Sequence, residues 1–520
     1  MSSSSRRCLL LLKKCKNMKQ LKQVHGQAIT CGLGNNGFAL SRLLHFCSDP
    51  LHGCLTHAWK LFQHIQLPTI CIYNTIIKAF LLKDQYFYTF HIYNNMLRSK
   101  ICPDEYTLPY MLRACAKLQT CYLGELVHGC CLKIGLVFNE FVGNALITMY
   151  CAFENLKAAR YVFDENPSLT TVSWTIMISG YAKVGDVVHA RLLFDEAPVK
   201  DRGIWGAMIS GYVHNNCFKE CLYIFRLMQL TVIEPDEGIF VSILCACAHL
   251  GALDSGIWIH GYLDRVGLPL SVRLGTGLID MYAKCGNLDL ANRVFDGMRQ
   301  RDTVCWNVMI SGLAMHGDGE GALKLFLEME KTGFRPDNIT FIAVFTACSY
   351  SGMSHEGLSI LDRMCNVYNI ELASEHYGCV VDLLSRAGFL EEAKKIIQGM
   401  PNSATPSEEA IAWRALLTAC CNQRKVQLAE VAAERLVQLE LHSGVYVLLS
   451  NLYAACGKHD DAKRIRKMMR NRGVDKTPGC SSVKVNGVIS EFVAGEKANL
   501  QMEIINMILM KIDKQLEYSG

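Results

Sequence analysis

An internal period of 101 residues is the feature of this sequence that most constrains its fold. Tyr73 and Trp174 are 101 residues apart, and Trp205 and Trp306 are separated by the same distance. Each period divides into two units of 35 residues and one of 31. Pro-Asp closes three of the units, at Pro103-Asp104, Pro235-Asp236 and Pro336-Asp337. A period of about 20–50 residues is typical of solenoids, so the sequence predicts a stack of small units rather than one globular core.

Each unit has the pattern of two short amphipathic helices. In residues 140–170, apolar residues recur at the helical spacing in two stripes, Val142-Ala145-Leu146-Met149 and Leu156-Ala159-Phe163. Between the stripes lie Asn155 or, in other units, the glycines Gly185, Gly286, Gly317 and Gly388, which suit a tight turn. Such a hairpin cannot bury its apolar face alone, so stacked neighbours should form a continuous core and a concave groove.

Composition limits the class of protein. Half of the 520 residues are hydrophobic, which excludes general disorder. The most hydrophobic stretch, Val445–Cys456, is too short to span a membrane. The net charge of +5 comes from 53 basic and 48 acidic residues, so binding to a polyanion must depend on individually placed groups. The 25 cysteines are scattered through a large chain, which favours reduced thiols over disulfides.

Two sets of periodic residues are predicted to belong to the core. Cysteines at the eleventh position of their units should be small buried residues rather than zinc ligands, because they recur far apart along the array: Cys15, Cys115, Cys247, Cys348 and Cys420. The aromatics that open the units should pack between helices rather than stack on bases: Tyr73, Trp174, Trp205, Trp306, Tyr377 and Trp413.

The N-terminus has an unusual charge pattern. Residues 1–48 contain no Asp or Glu, and MSSSSRRCLLLLKK combines serines and arginines with an apolar run. This composition is typical of an organellar transit peptide, predicted over residues 1–20 and overlapping a degenerate first repeat. The alternative is a basic first repeat with no targeting role.

The units resemble pentatricopeptide repeats of the plant PLS subclass, in which repeats of about 35, 35–36 and 31 residues alternate. The closest strings are VSWTIMISGYAKVGDVVHARLLFDEAP at 172–198 and VCWNVMISGLAMHGDGEGALKLFLEMEKTGFRPD at 304–337. The resemblance implies an all-α, right-handed α-solenoid, with about twelve repeats over 5–409. Residues 410–477 resemble the E1 and E2 motifs of that family, and 478–520 resemble its E+ extension.

The resemblance also implies which residues contact RNA, because such solenoids read one base per repeat with two or three side chains. In this family the readers are the fifth and last residues of a unit. Here they form the pairs Asn74/Asp104, Asn144/Thr170, Thr175/Asp201, Gly206/Asp236, Thr276/Asp302 and Asn307/Asp337. The family's code implies uracil for the two Asn/Asp pairs, guanine for the two Thr/Asp pairs and a pyrimidine for Asn144/Thr170, giving 5′-U-n-Y-G-n-n-G-U-n-n.

These positions have a structural alternative. An aspartate just before a helix is a good N-cap, and Asp104, Asp236 and Asp337 fit that role without any RNA. The second residue of each unit would flank the base as an apolar wedge, a role for Cys71, Val172 and Val304, although core packing explains these residues almost as well.

Catalytic motifs are missing from the sequence. None of the sixteen histidines has a glutamate two residues later, so the H-x-E signature of zinc deaminases does not occur, and neither does C-x-x-C. No phosphate-binding G-x-x-x-x-G-K-[ST] occurs either. The sequence predicts no catalytic residues, no metal site, no cofactor and no enzymatic activity of its own.

The resemblance implies a site-recognition factor for C-to-U editing of organellar RNA, in the mitochondrion or alternatively the chloroplast. Its partners would be single-stranded RNA and, through the E and E+ tail, a deaminase-bearing pentatricopeptide repeat protein with editing cofactor proteins. The tail departs from the family at Ser482, where tryptophan is usual, and at 497–500. Two rival functions are transcript stabilisation or splicing without editing, and a protein-binding helical scaffold.

Overall fold

The structure of this protein is a computed structural model that consists of two compact units, Met1–Cys285 and Gly286–Gly520. Each unit is built from antiparallel helical hairpins. The residues that it describes are 3–34, 36–49, 52–267, 269–401, 405–440, 442–474, 480–485 and 488–493.

The first unit contains seventeen helices within the described residues. They are α1 (Ser3–Lys14), α2 (Met18–Thr30), α3 (Gly37–Cys47), α4 (Leu55–Gln63), α5 (Ile70–Leu82), α6 (Tyr86–Arg98), α7 (Thr107–Leu118), α8 (Cys121–Ile134), α9 (Glu140–Ala152), α10 (Leu156–Glu165), α11 (Thr171–Lys183), α12 (Val187–Glu196), α13 (Arg202–His214), α14 (Phe218–Gln229), α15 (Glu237–Leu250), α16 (Leu253–Val266) and α17 (Val272–Lys284).

The second unit continues the same pattern, and its last described elements are a strand pair. Its elements are α18 (Leu288–Gly297), α19 (Thr303–Met315), α20 (Gly319–Lys331), α21 (Asn338–Tyr350), α22 (Ser354–Asn366), α23 (Ser374–Arg386), α24 (Leu390–Gln398), α25 (Pro406–Asn422), α26 (Val426–Leu439), α27 (Ser443–Ala455), α28 (His459–Asn471), β1 (Cys480–Val485) and β2 (Val488–Val493). The strands pair antiparallel, from Cys480 opposite Val493 to Val485 opposite Val488. This hairpin is an addition to the predicted all-α fold. Across the described part of the chain, no helix is long and apolar enough to cross a membrane.

The helices of each unit form two layers. α11 packs against its hairpin partner α12 and also against α9 and α13, which are the first helices of the neighbouring hairpins. In the second unit, α19 likewise packs against α20 and α21. First helices therefore lie side by side in one layer and second helices in the other. A residue at a fixed position in each first helix recurs along one surface.

The turns inside the hairpins match the sequence prediction. Gly185 and Gly286 adopt φ angles of 88° and 85°, in the left-handed region that only glycine enters without strain. In the 140–170 unit the same conformation falls on Glu154 with φ 59°, and Asn155 then caps α10 by accepting from the backbone N–H of Ala158 at 3.1 Å.

Four of the six aromatics that open the units pack edge-on against the preceding hairpin, as predicted. Trp306, which is 1% exposed, meets Phe295 of the preceding hairpin edge-on at 4.9 Å between ring centroids. Trp205 contacts Phe194 in the same way, also at 4.9 Å. The corresponding pairs in other units are Phe163–Trp174 at 4.9 Å and Phe62–Tyr73 at 5.3 Å. Edge-on pairs of this kind contribute more than area burial alone and join each hairpin to the one before it.

Four of the five eleventh-position cysteines are core residues. Cys115, Cys247, Cys348 and Cys420 have no exposed surface. The prediction is wrong for Cys15, which is only half-buried. α1 ends at Lys14, so Cys15 lies in the turn before α2, and Leu12 is the buried residue there.

Burial should protect these thiols from alkylation. It raises the pKa of Cys115, Cys247 and Cys420 to about 12 and that of Cys348 to about 11. Because the thiolate is the reactive form, iodoacetamide at pH 8 should leave all four unmodified in the folded protein. The exposed cysteines Cys71, Cys102, Cys121 and Cys365 should react. Peptide mass spectrometry measures each site, with urea-unfolded protein as the control. Alkylation of Cys247 at the rate of Cys365 would contradict the buried assignment.

Candidate nucleic-acid interface

The predicted base-contacting residues all belong to the layer of first helices. The fifth residues of the units lie near the starts of α5, α9, α11, α13, α17 and α19, as Asn74, Asn144, Thr175, Gly206, Thr276 and Asn307. The last residues come just before the next first helix, as Asp104, Thr170, Asp201, Asp236, Asp302 and Asp337. Two of the pairs, Asn74/Asp104 and Asn307/Asp337, are joined by hydrogen bonds at the junction of one repeat with the next.

Four of the five aspartates are helix N-caps, namely Asp201, Asp236, Asp302 and Asp337. Asp104 lies three residues before the start of α7 and makes the same hydrogen bond to its first backbone N–H. Oδ1 accepts from the backbone N–H three residues later, at 2.8 Å for Asp104 and 2.9 Å for Asp201, Asp236, Asp302 and Asp337. The capping role is therefore confirmed. A carboxylate can accept several hydrogen bonds, so the cap leaves acceptor capacity on the same side chain. Base reading by these aspartates remains a prediction.

The Asn74/Asp104 pair is joined directly. Asn74 Nδ2 donates to both carboxylate oxygens of Asp104, at 3.0 and 3.1 Å. The single proton of Thr107 Oγ1 is within reach of Asn74 Oδ1 at 2.6 Å and of Asp104 Oδ1 at 2.8 Å. Burial raises the pKa of Asp104, but hydrogen bonds from the Thr107 backbone, Asn74, the Thr107 hydroxyl and the Tyr106 backbone outweigh it, so the pKa is lowered overall. The carboxylate is therefore ionised at neutral pH.

A cavity of about 550 Å³ opens around this pair. Asn74 and Asp104 line it together with Cys71, Tyr106 and Lys78. Polar groups of fixed orientation thus lie between apolar side chains, with a cation close by. This combination suits a flat aromatic ligand that carries hydrogen-bonding edges and is attached to an anionic backbone.

The Asn307/Asp337 pair forms the same hydrogen-bond network in the second compact unit, Gly286–Gly520. Asn307 Nδ2 donates to Asp337 Oδ1 at 3.0 Å, and Thr340 Oγ1 donates to Asn307 Oδ1 at 2.6 Å. Asn307 is only 3% exposed, whereas Asn74 is half-buried. The two pairs have the same hydrogen-bond pattern but differ in the exposure of their asparagines. Asn74/Asp104 is therefore the pair that a ligand can reach more easily.

The remaining predicted pairs are connected less directly. Asn144 Oδ1 accepts from Ser173 Oγ at 2.6 Å, and Ser173 also accepts from the backbone N–H of Thr170 at 3.1 Å. Thr175 donates to the carbonyl of Thr171 in its own helix at 2.8 Å. Thr276 does the same toward Val272 at 2.7 Å. Gly206 presents no side chain. Among the described residues, no hydrogen bond joins Thr175 to Asp201.

The second residues of the units face solvent. Val172 and Val304 are 52% and 56% exposed, and Cys71 is also exposed. Core packing therefore does not explain them, and the wedge interpretation is favoured. Other second residues that the sequence reasoning did not single out extend the set, namely Tyr106, Phe141 and Ile339. A row of exposed apolar side chains at one repeat position is what a stacking surface requires.

Basic residues recur at the end of the first helices, which sequence reasoning also missed. Lys117, Lys183, Lys284 and Arg386 occupy the thirteenth position of their units, and all are exposed. Lys284 and Arg386 pair with carboxylates one turn earlier at 2.8 Å, on Asp280 and Asp382. The sequence could have revealed these basic residues, because all four occupy the same position in their repeats.

The described residues offer no cluster of side chains suited to a metal ion. Among them, no group of three or more His, Cys, Asp or Glu side chains is placed to hold one. Among the cysteines with described side chains, no disulfide bond is formed.

Models of known protein families match much of the chain. The PPR repeat family model matches residues 68–117 and 301–349, and the PPR repeat model matches 172–200, 203–230, 276–303 and 375–403. The E motif model matches 424–484, which covers α26 to α28 and most of β1.

Relatives from Arabidopsis thaliana align with nearly the whole chain. One pentatricopeptide repeat-containing protein is 41% identical over 96% of this chain and 92% of its own length. A mitochondrial relative is 35% identical over 96% of this chain and 88% of its own length. A chloroplastic relative is also 35% identical, over 98% and 79%.

Solved structures of the maize pentatricopeptide repeat protein PPR10 share the fold. One superposes with a TM-score of 0.56 at 14% identity, covering 91% of this chain and 74% of PPR10. PPR10 in complex with an 18-nucleotide psaJ RNA element gives 0.53 at the same identity, covering 91% and 75%. The likeness confirms the predicted α-solenoid. The repeat models match six segments of this chain, and relatives align with nearly all of it. This chain therefore belongs to the pentatricopeptide repeat family and carries an E motif.

Proposed function

We propose that this protein binds single-stranded RNA along its first helices and selects a cytidine for C-to-U editing in an organelle. The Asn74/Asp104 pair carries the proposal, because it presents an oriented amide and an ionised carboxylate in a 550 Å³ cavity beside Cys71 and Tyr106. Donors and acceptors fixed between apolar flanks are what reading a splayed base requires.

The repeated side chains support a continuous RNA path rather than one isolated site. Exposed apolar residues at the second position would separate successive bases, and Lys117 and Lys183 at the thirteenth position would face the phosphates. Maize PPR10, which shares the fold, was solved with an RNA element. We further propose that the repeats follow the PLS pattern and read 5′-U-n-Y-G-n-n-G-U-n-n.

The E motif match at 424–484 supports a role in editing. We propose no catalytic residue in this chain. The deamination itself would therefore be carried out by a deaminase-bearing partner that is recruited through residues 410–477 and 478–520. Ser482 falls in the second of these segments. We propose an organellar location, with the mitochondrion preferred and the chloroplast as the alternative. The relatives include both mitochondrial and chloroplastic proteins, which supports an organelle without separating the two.

Sequencing of organellar transcripts from a loss-of-function line tests this function. We expect one or a few cytidines to remain unedited a few nucleotides 3′ of the proposed pattern, with complementation restoring them. Purified protein should bind that RNA more tightly than a permuted RNA of equal composition. Tight RNA binding with unchanged editing would instead indicate transcript stabilisation or splicing. Absence of RNA binding would favour a protein-binding scaffold.

A further inference from the structure

A buried hydroxyl accompanies every asparagine at the fifth position. The hydroxyl belongs to the third residue of the following unit, which is Thr107, Ser173 or Thr340. None of these three side chains has exposed surface. In each case the nearest acceptor for the hydroxyl is the Oδ1 atom of the preceding unit's asparagine, at 2.6 Å. For Thr107 and Thr340 the aspartate Oδ1 is a second acceptor, at 2.8 and 2.9 Å.

The hydroxyl and the Asp104 carboxylate together decide which way the Asn74 amide points. Rotating the amide by 180° would bring Oδ1 of Asn74 toward the Asp104 carboxylate, where two acceptors repel, and would leave the Thr107 hydroxyl facing an N–H₂ group. With the observed orientation, Nδ2 faces Asp104 and Oδ1 faces Thr107. The second N–H and the second lone pair of the amide are thereby fixed in direction.

The other units lack both members of this arrangement. Where the fifth residue is Thr175, Thr276 or Gly206, the third residue of the next unit is Ile204, Cys305 or Ile239. A threonine at the fifth position needs no such donor, because it bonds to its own helix, as Thr175 does to the Thr171 carbonyl at 2.8 Å. Asparagine and hydroxyl therefore occur together within this chain.

We propose that Thr107, Ser173 and Thr340 are positioning residues that set the base preference of the unit before them. This inference rests on the proposed RNA-binding function. By holding the asparagine amide in one orientation, the hydroxyl presents an N–H donor and an oxygen acceptor in a fixed order. That order matches the acceptor and N–H on the edge of uracil. Without the hydroxyl, Oδ1 loses its donor and the aspartate carboxylate alone opposes rotation of the amide, so the order is held less firmly.

Thr107 gives the sharpest test because its asparagine is half-buried and lines the cavity. The experiment uses the full chain with Thr107→Val, which keeps the shape and removes the donor, and Thr107→Ser, which keeps the donor. Four RNAs differ only at the nucleotide proposed to face residues 70–104. The Kd for each RNA gives the preference for uracil, and thermal unfolding gives the stability.

We expect Thr107→Val to reduce the preference for uracil about fivefold, the net value of one hydrogen bond, while Thr107→Ser retains it. A purely structural role would make Thr107→Val weaken all four complexes equally and leave the preference intact, which would overturn the inference alone. If the unmodified protein bound none of the four RNAs, the proposed function would fall, and the inference with it. Ser173→Ala repeats the test at Asn144, with RNAs varied at the position facing that unit.

Discussion

Replacement of Trp306 by alanine should lower the free energy of unfolding by about 3–5 kcal/mol. Trp306 is 1% exposed, contacts Phe295 edge-on at 4.9 Å, and lies under the Arg301 guanidinium at 5.6 Å from the ring centre. Truncation would leave a cavity between two hairpins that the neighbouring helices cannot close. Urea unfolding followed by circular dichroism measures the loss.

Two variants serve as controls for this prediction. Trp306→Phe keeps an aromatic ring against Phe295 and removes an indole Nε1 that is buried with no hydrogen-bond partner among the described residues, so it should cost much less. Val304→Ala changes a side chain that is 56% exposed and should shift stability by no more than about 0.5 kcal/mol. If Trp306→Ala unfolded at the same urea concentration as Val304→Ala, the inter-hairpin packing role would be refuted.

Asn74→Thr should shift base preference at one nucleotide from uracil toward guanine by about tenfold in relative affinity. Asn74 now donates to both carboxylate oxygens of Asp104 and occupies them. A threonine there should bond to its own helix, as Thr175 and Thr276 do. The Asp104 carboxylate would then be released to accept from the N–H groups on the edge of guanine.

Four RNAs that differ at this nucleotide provide the measurement, and affinity for the preferred RNA should remain similar. Asn94→Thr is the matched control, because Asn94 is an exposed residue of the second-helix layer in α6 and should leave the preference unchanged. An Asn74→Thr protein that still prefers uracil would show that the pair serves only to cap and stabilise. The Asn307→Thr change should act in the same direction, although the burial of Asn307 makes Asn74 the cleaner position.

Much of the fold could be predicted because the same packing contacts recur in each repeat, so their residues recur at fixed spacing in the sequence. The spacing of Trp205 and Trp306 predicted inter-helix packing, and the structure shows each against a phenylalanine of the preceding hairpin. Cys15 was misplaced because the first unit is degenerate, and its register depends on where α1 ends rather than on a repeated residue.

The site was predictable in position but not in connection. Asn74 and Asp104 were identified from their places in the unit, yet the Thr107 hydroxyl that completes the network belongs to the next unit, 33 residues from Asn74. A pattern within one unit does not reveal a bond across a junction. The different exposure of Asn74 and Asn307 was equally hidden, since it depends on how surrounding side chains cover the amide.

The capping bonds of the aspartates have a mechanical consequence. Asp104 is held by Asn74 from one repeat and by the first turn of α7 in the next, so a base bound to the pair would touch both repeats at once. RNA would then act as a tie across the junction, and each matched nucleotide would add resistance to separation of adjacent hairpins. The bound RNA would stabilise the protein that reads it. A mismatched base would then weaken the packing between adjacent hairpins as well as the hydrogen bonds to that base.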